Sequence, residues 1–299
     1  MTSSKWIFLI NITFKQEVGL SCAGSNHKHQ KRDLGLQKHR QYIKSFIEQD
    51  LLNDENVLAV FYGGSMANQK TDLYSDIDLR IVVKEEVYEA YRLTKKQRAQ
   101  KWGKVLFFED FPWATHTVAH YDTFIKVDIF YYKIKDIQPS VWLQNIKIVR
   151  DWNGLLKNGW SKSRELSYRP NEQEMEIWRA KFLAHVHEVY RRVMRKEIYY
   201  ALNCLDRLRQ LMVIGWYMEA GIQPNAVGDW AKYEGIRSQL TDFQLELLER
   251  WFSTRDTDEI MFVINKMIPE FKKVHNHLCH ILGLEENQEW IDEILNMVL

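Results

Sequence analysis

The stretch from Val57 to Val83, VLAVFYGGSMANQKTDLYSDIDLRIVV, constrains the fold of this chain more than any other. It begins as an apolar strand, Val57 to Tyr62, and breaks at Gly63-Gly64-Ser65. After a short polar segment it re-enters a strand that starts with Asp76-Ile77-Asp78 and ends in Ile81-Val82-Val83. Strand side chains alternate faces, so Asp76 and Asp78 point one way while Ile77 and Leu79 enter the layer behind. Two carboxylates side by side repel unless a cation lies between them. A hard divalent ion such as Mg2+ meets that need, because it takes oxygen ligands and keeps a substrate phosphate in its shell. The turn supplies the other half of a phosphate site: glycines let the backbone approach a ligand, and Ser65, at the mouth of a short helix, offers its hydroxyl and amide groups to an anion.

Gly64-Ser65, ten intervening residues and then Asp76-Ile77-Asp78 after a strand resembles the signature of the nucleotidyltransferase superfamily, the fold shared by DNA polymerase beta and the antibiotic-modifying nucleotidyltransferases. The resemblance implies that Gly64 and Ser65 hold a triphosphate and that Asp76 and Asp78 hold Mg2+. A third carboxylate on a later strand would complete the site. The bland alternative is a surface hairpin with a solvated Asp-x-Asp.

At 299 residues the chain is long enough for two domains. Its 41 Lys plus Arg against 40 Asp plus Glu leave a net charge of +1. That balance argues against a long polynucleotide substrate, whose binding rests on a basic excess. Cys22, Cys204 and Cys279 are far apart and odd in number, which fits buried thiols in a reducing cytoplasm rather than a disulfide framework or zinc site. The apolar run Trp6 to Ile10 is too short to span a bilayer and is stopped by Lys15-Gln16-Glu17. Residues 1–33 read as a poorly ordered N-terminal extension, with His27 and His29 solvated.

Leu36, Tyr42, Ile43, Phe46, Ile47 and Leu51 recur at helical spacing, so a helix precedes the first strand. A second helix is expected from Glu85 to Trp102, its many cations on a solvated face. Thr115 to Tyr121 and Phe124 to Tyr132 alternate and read as a hairpin closed by a two-residue turn at Asp122-Thr123. On its second strand Lys126, Asp128 and Phe130 share one face. A carboxylate in so apolar a strand needs a partner; Asp128 has two to choose from, Lys126 on the same face or a cation shared with Asp76 and Asp78, and the upstream motif favours the second. His116 and His120 lie four apart on a strand, about 13 Å, too far to share one ion. They are structural or line a substrate.

Residues 136–167 read as a connection with a short helix around Trp142 to Ile148. From Asn171 onward the pattern is helical: Trp178, Phe182, Val186, Val189 and Val193 form one stripe, continued by Ile198, Leu202, Leu205, Leu208 and Met212. Further helices are expected at 225–233, 242–252, 257–282 and 286–299. His275, His277, Cys279 and His280 fall in one of these, and a single helix cannot converge all four on an ion. Arg191, Arg192, Arg195, Lys196, Arg207 and Arg209 are solvated helix faces or arms for a triphosphate, the first being the reading for most.

The fold class expected is therefore α+β: a mixed-sheet nucleotidyltransferase domain over residues 34–150 followed by an all-helical domain over residues 165–299. This layout is similar to that of the small-molecule nucleotidyltransferases that modify aminoglycosides or lincosamides. That resemblance implies transfer of AMP from ATP, or of another nucleoside monophosphate, to a hydroxyl of a small molecule with two Mg2+ ions. Asp76, Asp78 and Asp128 would be the metal ligands, Asp128 also the acceptor of the hydroxyl proton, and Gly64 and Ser65 the holders of the pyrophosphate. Glu109, Asp110 and Trp113 could face a polyamine-like antibiotic. The alternatives are a regulator or antitoxin-like protein of the same fold, acting on a partner protein, and an RNA-modifying member.

Overall fold

The computed structural model describes residues 27–68 and 71–299. The described residues form two compact units, divided between Leu166 and Ser167. The readings made above for Trp6 to Ile10 and Cys22 lie outside the described residues, as does most of the expected extension; within it, His27–Leu34 is a helix, α1.

The first unit is a six-stranded mixed sheet with helices on both faces. After α1 come α2 (Leu36–Leu52), β1 (Val57–Tyr62), the one-turn α3 (Gly64–Ala67) and β2 (Ile77–Val83). Then follow α4 (Tyr88–Leu93), α5 (Lys95–Ala99), β3 (Val105–Asp110), β4 (His116–Tyr121), β5 (Lys126–Tyr132), β6 (Lys147–Asp151) and α6 (Leu155–Arg164). The strand order is β3-β4-β5-β2-β1-β6, with β2 and β5 parallel and every other pair antiparallel.

Alternation sorts the two faces as expected. Val60, Tyr62, Ile77, Leu79, Ile81, Val127, Ile129 and Tyr131 are buried with Ile43, Ile47 and Leu51 of α2. The opposite face is covered over part of its length, where Ala59, Phe61 and Val82 meet Leu156 of α6. Asp78 and Asp128 lie on that second face, toward the ends of β2 and β5 where those strands begin.

Several local expectations change. The helix expected from Glu85 to Trp102 is four short pieces; at the break between α4 and α5, Thr94 Oγ1 donates back to the Ala90 carbonyl (2.7 Å) and the chain turns so that Lys95 enters the protein. There Lys95 Nζ pairs with Asp110 (2.9 Å) and donates to the Phe111 and Ala114 carbonyls. The hairpin loop has three residues rather than two: Tyr121 N–H donates to the Ile125 carbonyl and Phe124 is left-handed, φ +65°.

Lys147–Asp151 is a strand on β1, not part of a helix. Its last two residues tie it down: Arg150 donates to the carbonyls of Leu51, Leu52 and Asp54, and Asp151 accepts from the Leu156 and Lys157 N–H groups at the start of α6. A helix was expected over Leu155–Arg164 by no feature of the pattern; Asn158-Gly159 reads as a turn, yet Gly159 sits inside α6 and is buried.

The second unit contains α7 (Glu172–Met194), α8 (Ile198–Glu219), α9 (Asp242–Arg250), α10 (Thr257–Leu282) and α11 (Gln288–Asn296), and no strand among its residues. The α7 stripe is buried as its spacing requires: Met175, Trp178, Phe182, Val186, Val189 and Val193. Phe182 stacks on Phe271 of α10 at 3.9 Å between ring centroids. The helix expected at 225–233 is a set of turns. Gly228 has φ +106°, and Asn225 Nδ2 donates to the Ala231 carbonyl while Asp229 accepts from the Ala231 N–H, so side chains replace helical hydrogen bonds. The class is α+β, as expected, with a mixed sheet first and helices after.

Candidate active site

Antiparallel pairing of β1 with β2 places Gly63 beside Asp78, where the Gly63 N–H donates to the Asp78 carbonyl (3.0 Å). Gly64 follows with φ +55°, a conformation L side chains rarely adopt. A Cβ at Gly64 would lie 1.9 Å from Asp78 Oδ2. Glycine is thus required twice, by the backbone and by a carboxylate resting against it. Ser65 is the next residue of α3 and is half-buried.

Parallel pairing of β2 with β5 then puts Asp128 directly opposite Asp78. Asp76, the residue before β2, completes the group through a shared cation: Lys126 Nζ is 2.9 Å from Asp76 Oδ2 and 3.4 Å from Asp128 Oδ2. The three carboxylates singled out in the sequence are therefore on neighbouring strand ends of one sheet face. Both partners considered for Asp128 are also there, Lys126 and the Asp76–Asp78 pair. The sequence pattern missed the third link, that Lys126 meets Asp76 as closely as it meets Asp128.

Charge and burial act in opposite directions in this cluster. Burial pushes the Asp128 carboxyl above the usual carboxylate range; Lys126 opposes the shift, while the charges of Asp78 and Asp76 add to it. Burial lowers the Lys126 ammonium, but its hydrogen bond to Asp76 and the charges of Asp128 and Asp76 outweigh that and hold it above its ordinary value. Asp128 Oδ1 is buried without a hydrogen-bond partner, a costly state that a ligand for that oxygen would remove.

Among the described residues no three acidic, imidazole or thiol groups already converge at metal-ligand positions. What is present is the right donor chemistry, all carboxylate, with an unsatisfied oxygen and one ammonium standing among the negative charges. That set fits a hard divalent cation such as Mg2+.

Arg80 was not singled out by sequence. It lies two residues after Asp78 on the same face, with its guanidinium 5.3 Å above the Phe130 ring and packed against Gly63. Phe130 in turn stacks with His116 at 5.4 Å. His120 instead meets Glu109 (2.7 Å) and stacks on Phe107, so the two histidines serve separate contacts. Asp110 is buried and turned toward Lys95 and Lys96. Of the three residues considered as a wall for a cationic substrate, only Trp113 stands widely exposed and without an ion pair.

In the second unit, Arg191 and Arg192 pair with Glu188, and Arg192 also with Glu197. Arg209 donates to the Trp251 carbonyl and pairs with Asp206. These cations are engaged within the second unit, by their own helices and by the ends of neighbouring ones. His275 is buried against Cys279 while His277 meets Glu219, and the directions differ as the helical spacing requires.

The family model described as streptomycin adenylyltransferase matches residues 36–298. Two solved structures are similar at low identity. One is an aminoglycoside 6-adenyltransferase from Bacillus subtilis, 14% identical, TM-score 0.41, covering 87% of this chain and 98% of its own. The other is a nucleotidyltransferase-like protein from Exiguobacterium sibiricum, 12% identical, TM-score 0.42, covering 81% and 77%. No curated protein sequence matches. At these scores it is the family match that carries weight.

Proposed function

The chain belongs to the streptomycin adenylyltransferase family, and on that premise we propose that it transfers AMP from ATP to a hydroxyl group of an aminoglycoside-type antibiotic. The observation that carries the proposal is the register of β2 and β5: it sets Asp128 opposite Asp78, beside a glycine turn on which Asp78 rests. The family match extends through both units, which favours an enzyme over a minimal regulator acting on a partner protein.

Asp76, Asp78 and Asp128 would hold two Mg2+ ions. Bound there, the metal supplies charge stabilisation at the transferring phosphoryl group. The chain's own groups do the rest. Asp128 takes the proton of the acceptor hydroxyl, for which its raised pKa and its unpartnered Oδ1 suit it. The acceptor oxygen forms a bond to the α-phosphorus as the bond from that phosphorus to the bridging oxygen breaks, and pyrophosphate leaves on the side of Gly64 and Ser65. The glycines admit phosphate oxygens close to the backbone, which a side chain at residue 64 would block.

The acceptor is a small molecule rather than a nucleic acid, in keeping with the near-neutral charge balance. A cytoplasmic setting is supported by Cys204 and Cys279, both buried and free. No helix among the described residues is long and apolar enough to cross a membrane. The test is incubation with Mg2+, each nucleoside triphosphate and a panel of aminoglycosides and lincosamides, following pyrophosphate release and product mass. ATP-dependent gain of one AMP on an aminoglycoside is expected. Pyrophosphate release with no acceptor modified, or no release with any triphosphate, would defeat the reading.

A further inference from the structure

Two cations share the sheet face of the three carboxylates, and they differ in what they already hold. Lys126 is engaged by Asp76 and Asp128. Arg80 forms none of the ion pairs among the described residues. Its one hydrogen bond among them is long, 3.4 Å from Nη1 to the Asp78 carbonyl. A guanidinium has five N–H donors in a planar fork that matches phosphate oxygens, so nearly all of that capacity is unspent.

The guanidinium is nevertheless held in place. The Phe130 ring lies 5.3 Å from its central carbon, supporting it from the neighbouring strand. On the other side it packs against Gly63, where an added Cβ would fall 2.2 Å from Nη1 and 2.8 Å from Cζ. Gly63 itself has ordinary extended dihedrals, φ −103° and ψ −161°. Its backbone therefore does not call for glycine, and the space it leaves is the space the guanidinium fills. Arg80 thus stands at the first residue of the Gly63-Gly64-Ser65 turn, beside the carboxylates, supported on an aromatic ring with its donors free.

We propose that Arg80 is the cationic arm of this site, binding the β- and γ-phosphates of ATP and retaining pyrophosphate as it departs. The assignment rests on the nucleotidyl-transfer reading above. Among the described residues it gives the Gly-Ser turn a positive charge that is not already spent, since Lys126 is occupied by carboxylates. As pyrophosphate gains negative charge on leaving, a fixed guanidinium gains in interaction with it, so the effect reaches turnover as well as binding.

The test is calorimetric titration of the full chain with inorganic pyrophosphate, with a non-hydrolysable ATP analogue and with AMP, each with Mg2+, for wild type, Arg80→Gln, Arg80→Lys and Gly63→Ala. Loss of charge-assisted hydrogen bonds should weaken pyrophosphate and the ATP analogue about 10–100-fold in Arg80→Gln, and leave AMP within about twofold. Arg80→Lys keeps the charge without the fork, and a partial loss is expected. Gly63→Ala leaves the backbone unstrained and displaces the guanidinium, so it should show the same phosphate-selective loss with Arg80 intact. A folded Arg80→Gln protein with wild-type pyrophosphate affinity overturns the role of Arg80 and leaves nucleotidyl transfer standing. Equal weakening of AMP and pyrophosphate overturns it as well. If wild type binds neither ATP analogue nor pyrophosphate, nucleotidyl transfer itself fails. Should Arg80→Gln not fold, Arg80→Lys and Gly63→Ala decide by the same criterion.

Discussion

Two lysine–carboxylate clusters sit against the same sheet, and they differ in how far their charges are matched. Lys95 and Asp110 are joined at 2.9 Å with side chains 3% and 8% exposed. The remaining Lys95 donors go to the Phe111 and Ala114 carbonyls, so the ammonium is fully used and nothing approaches it. Lys126 stands at 34% exposure between Asp76, 40% exposed, and Asp128, 19% exposed. It has two carboxylates, a third opposite in register, and an orphaned oxygen beside it. The first arrangement is saturated in charge, the one Asp110 carboxylate meeting Lys95 at 2.9 Å and Lys96 at 3.5 Å, and it locks β3 to α5. The second has more negative charge than paired cation, open to solvent, an imbalance that a bound divalent cation would relieve.

The sharpest way to break the comparison is at Asp78. If the open cluster is the catalytic one, Asp78→Asn should lower turnover on the order of 10³-fold, about 4 kcal/mol of transition-state stabilisation. The denaturant midpoint without metal should hold, because one of three crowded negative charges has been removed. Full activity in this variant would refute the metal assignment. The saturated cluster should answer in reverse. Lys95→Met takes away the buried partner of Asp110 and leaves only the exposed Lys96 at 3.5 Å, so it should cost about 3 kcal/mol in chemical denaturation. The folded fraction should keep its ATP affinity. A Lys95→Met protein that is stable but fails to bind ATP would erase the distinction.

The open cluster was legible in sequence and the saturated one was not. Asp76, Asp78 and Asp128 stand out because they are acids in apolar strands, and alternation assigns them a face without any knowledge of contacts. The strands before and after the Gly-Ser turn, and the buried stripe of α7, are equally visible because they are periodic. Lys95 reads as one more charge in a cationic run, and only the turn at Thr94 sends it inward. Lys147–Asp151 was missed since five residues with a charge at each end carry no period, and their pairing is fixed by β1 and by the Arg150 and Asp151 contacts. Arg80 was overlooked for a related reason. Its meaning lies in Gly63 and Phe130, which belong to a turn and a distant strand.

Lys126→Met sharpens the comparison by removing the cation that is ion-paired with the open cluster. Asp76, Asp78 and Asp128 would then face each other without compensation, but partly in water, so the loss should be smaller than at Lys95, about 1–2 kcal/mol in metal-free buffer. Added Mg2+ should restore most of it, because binding to the folded state stabilises by mass action. Metal-free and Mg2+-containing melts of Lys126→Met and wild type measure this directly. A midpoint that falls equally with and without Mg2+ would mean that Lys126 is as structural as Lys95.

The smallest effect expected, and the one that separates the clusters by sign, is the dependence of metal-free stability on pH. Burial would raise the Asp110 carboxyl, but its bond to Lys95 and the charges of Lys95 and Lys96 hold it below its ordinary 3.8. The stability it contributes is therefore present above 3.8 and is lost as pH falls through the lower folded value. Asp128 is shifted the other way, by burial first and then by Asp78 and Asp76 against the pull of Lys126. Between 3.8 and its raised folded value the unfolded chain has released a proton that the folded one keeps, so folding weakens as pH rises across that window. Denaturant midpoints of Asp110→Asn and Asp128→Asn against wild type from pH 3 to 7, without metal, should therefore diverge. The penalty of Asp110→Asn should be fully present at pH 7 and shrink below about pH 4. Asp128→Asn, whose Lys126 still has Asp76 at 2.9 Å, should gain on wild type as pH climbs above about 4. Parallel profiles for the two variants would show that Asp128 is held like Asp110, as half of a closed pair, and would remove the electrostatic ground for placing the proton-accepting group at residue 128.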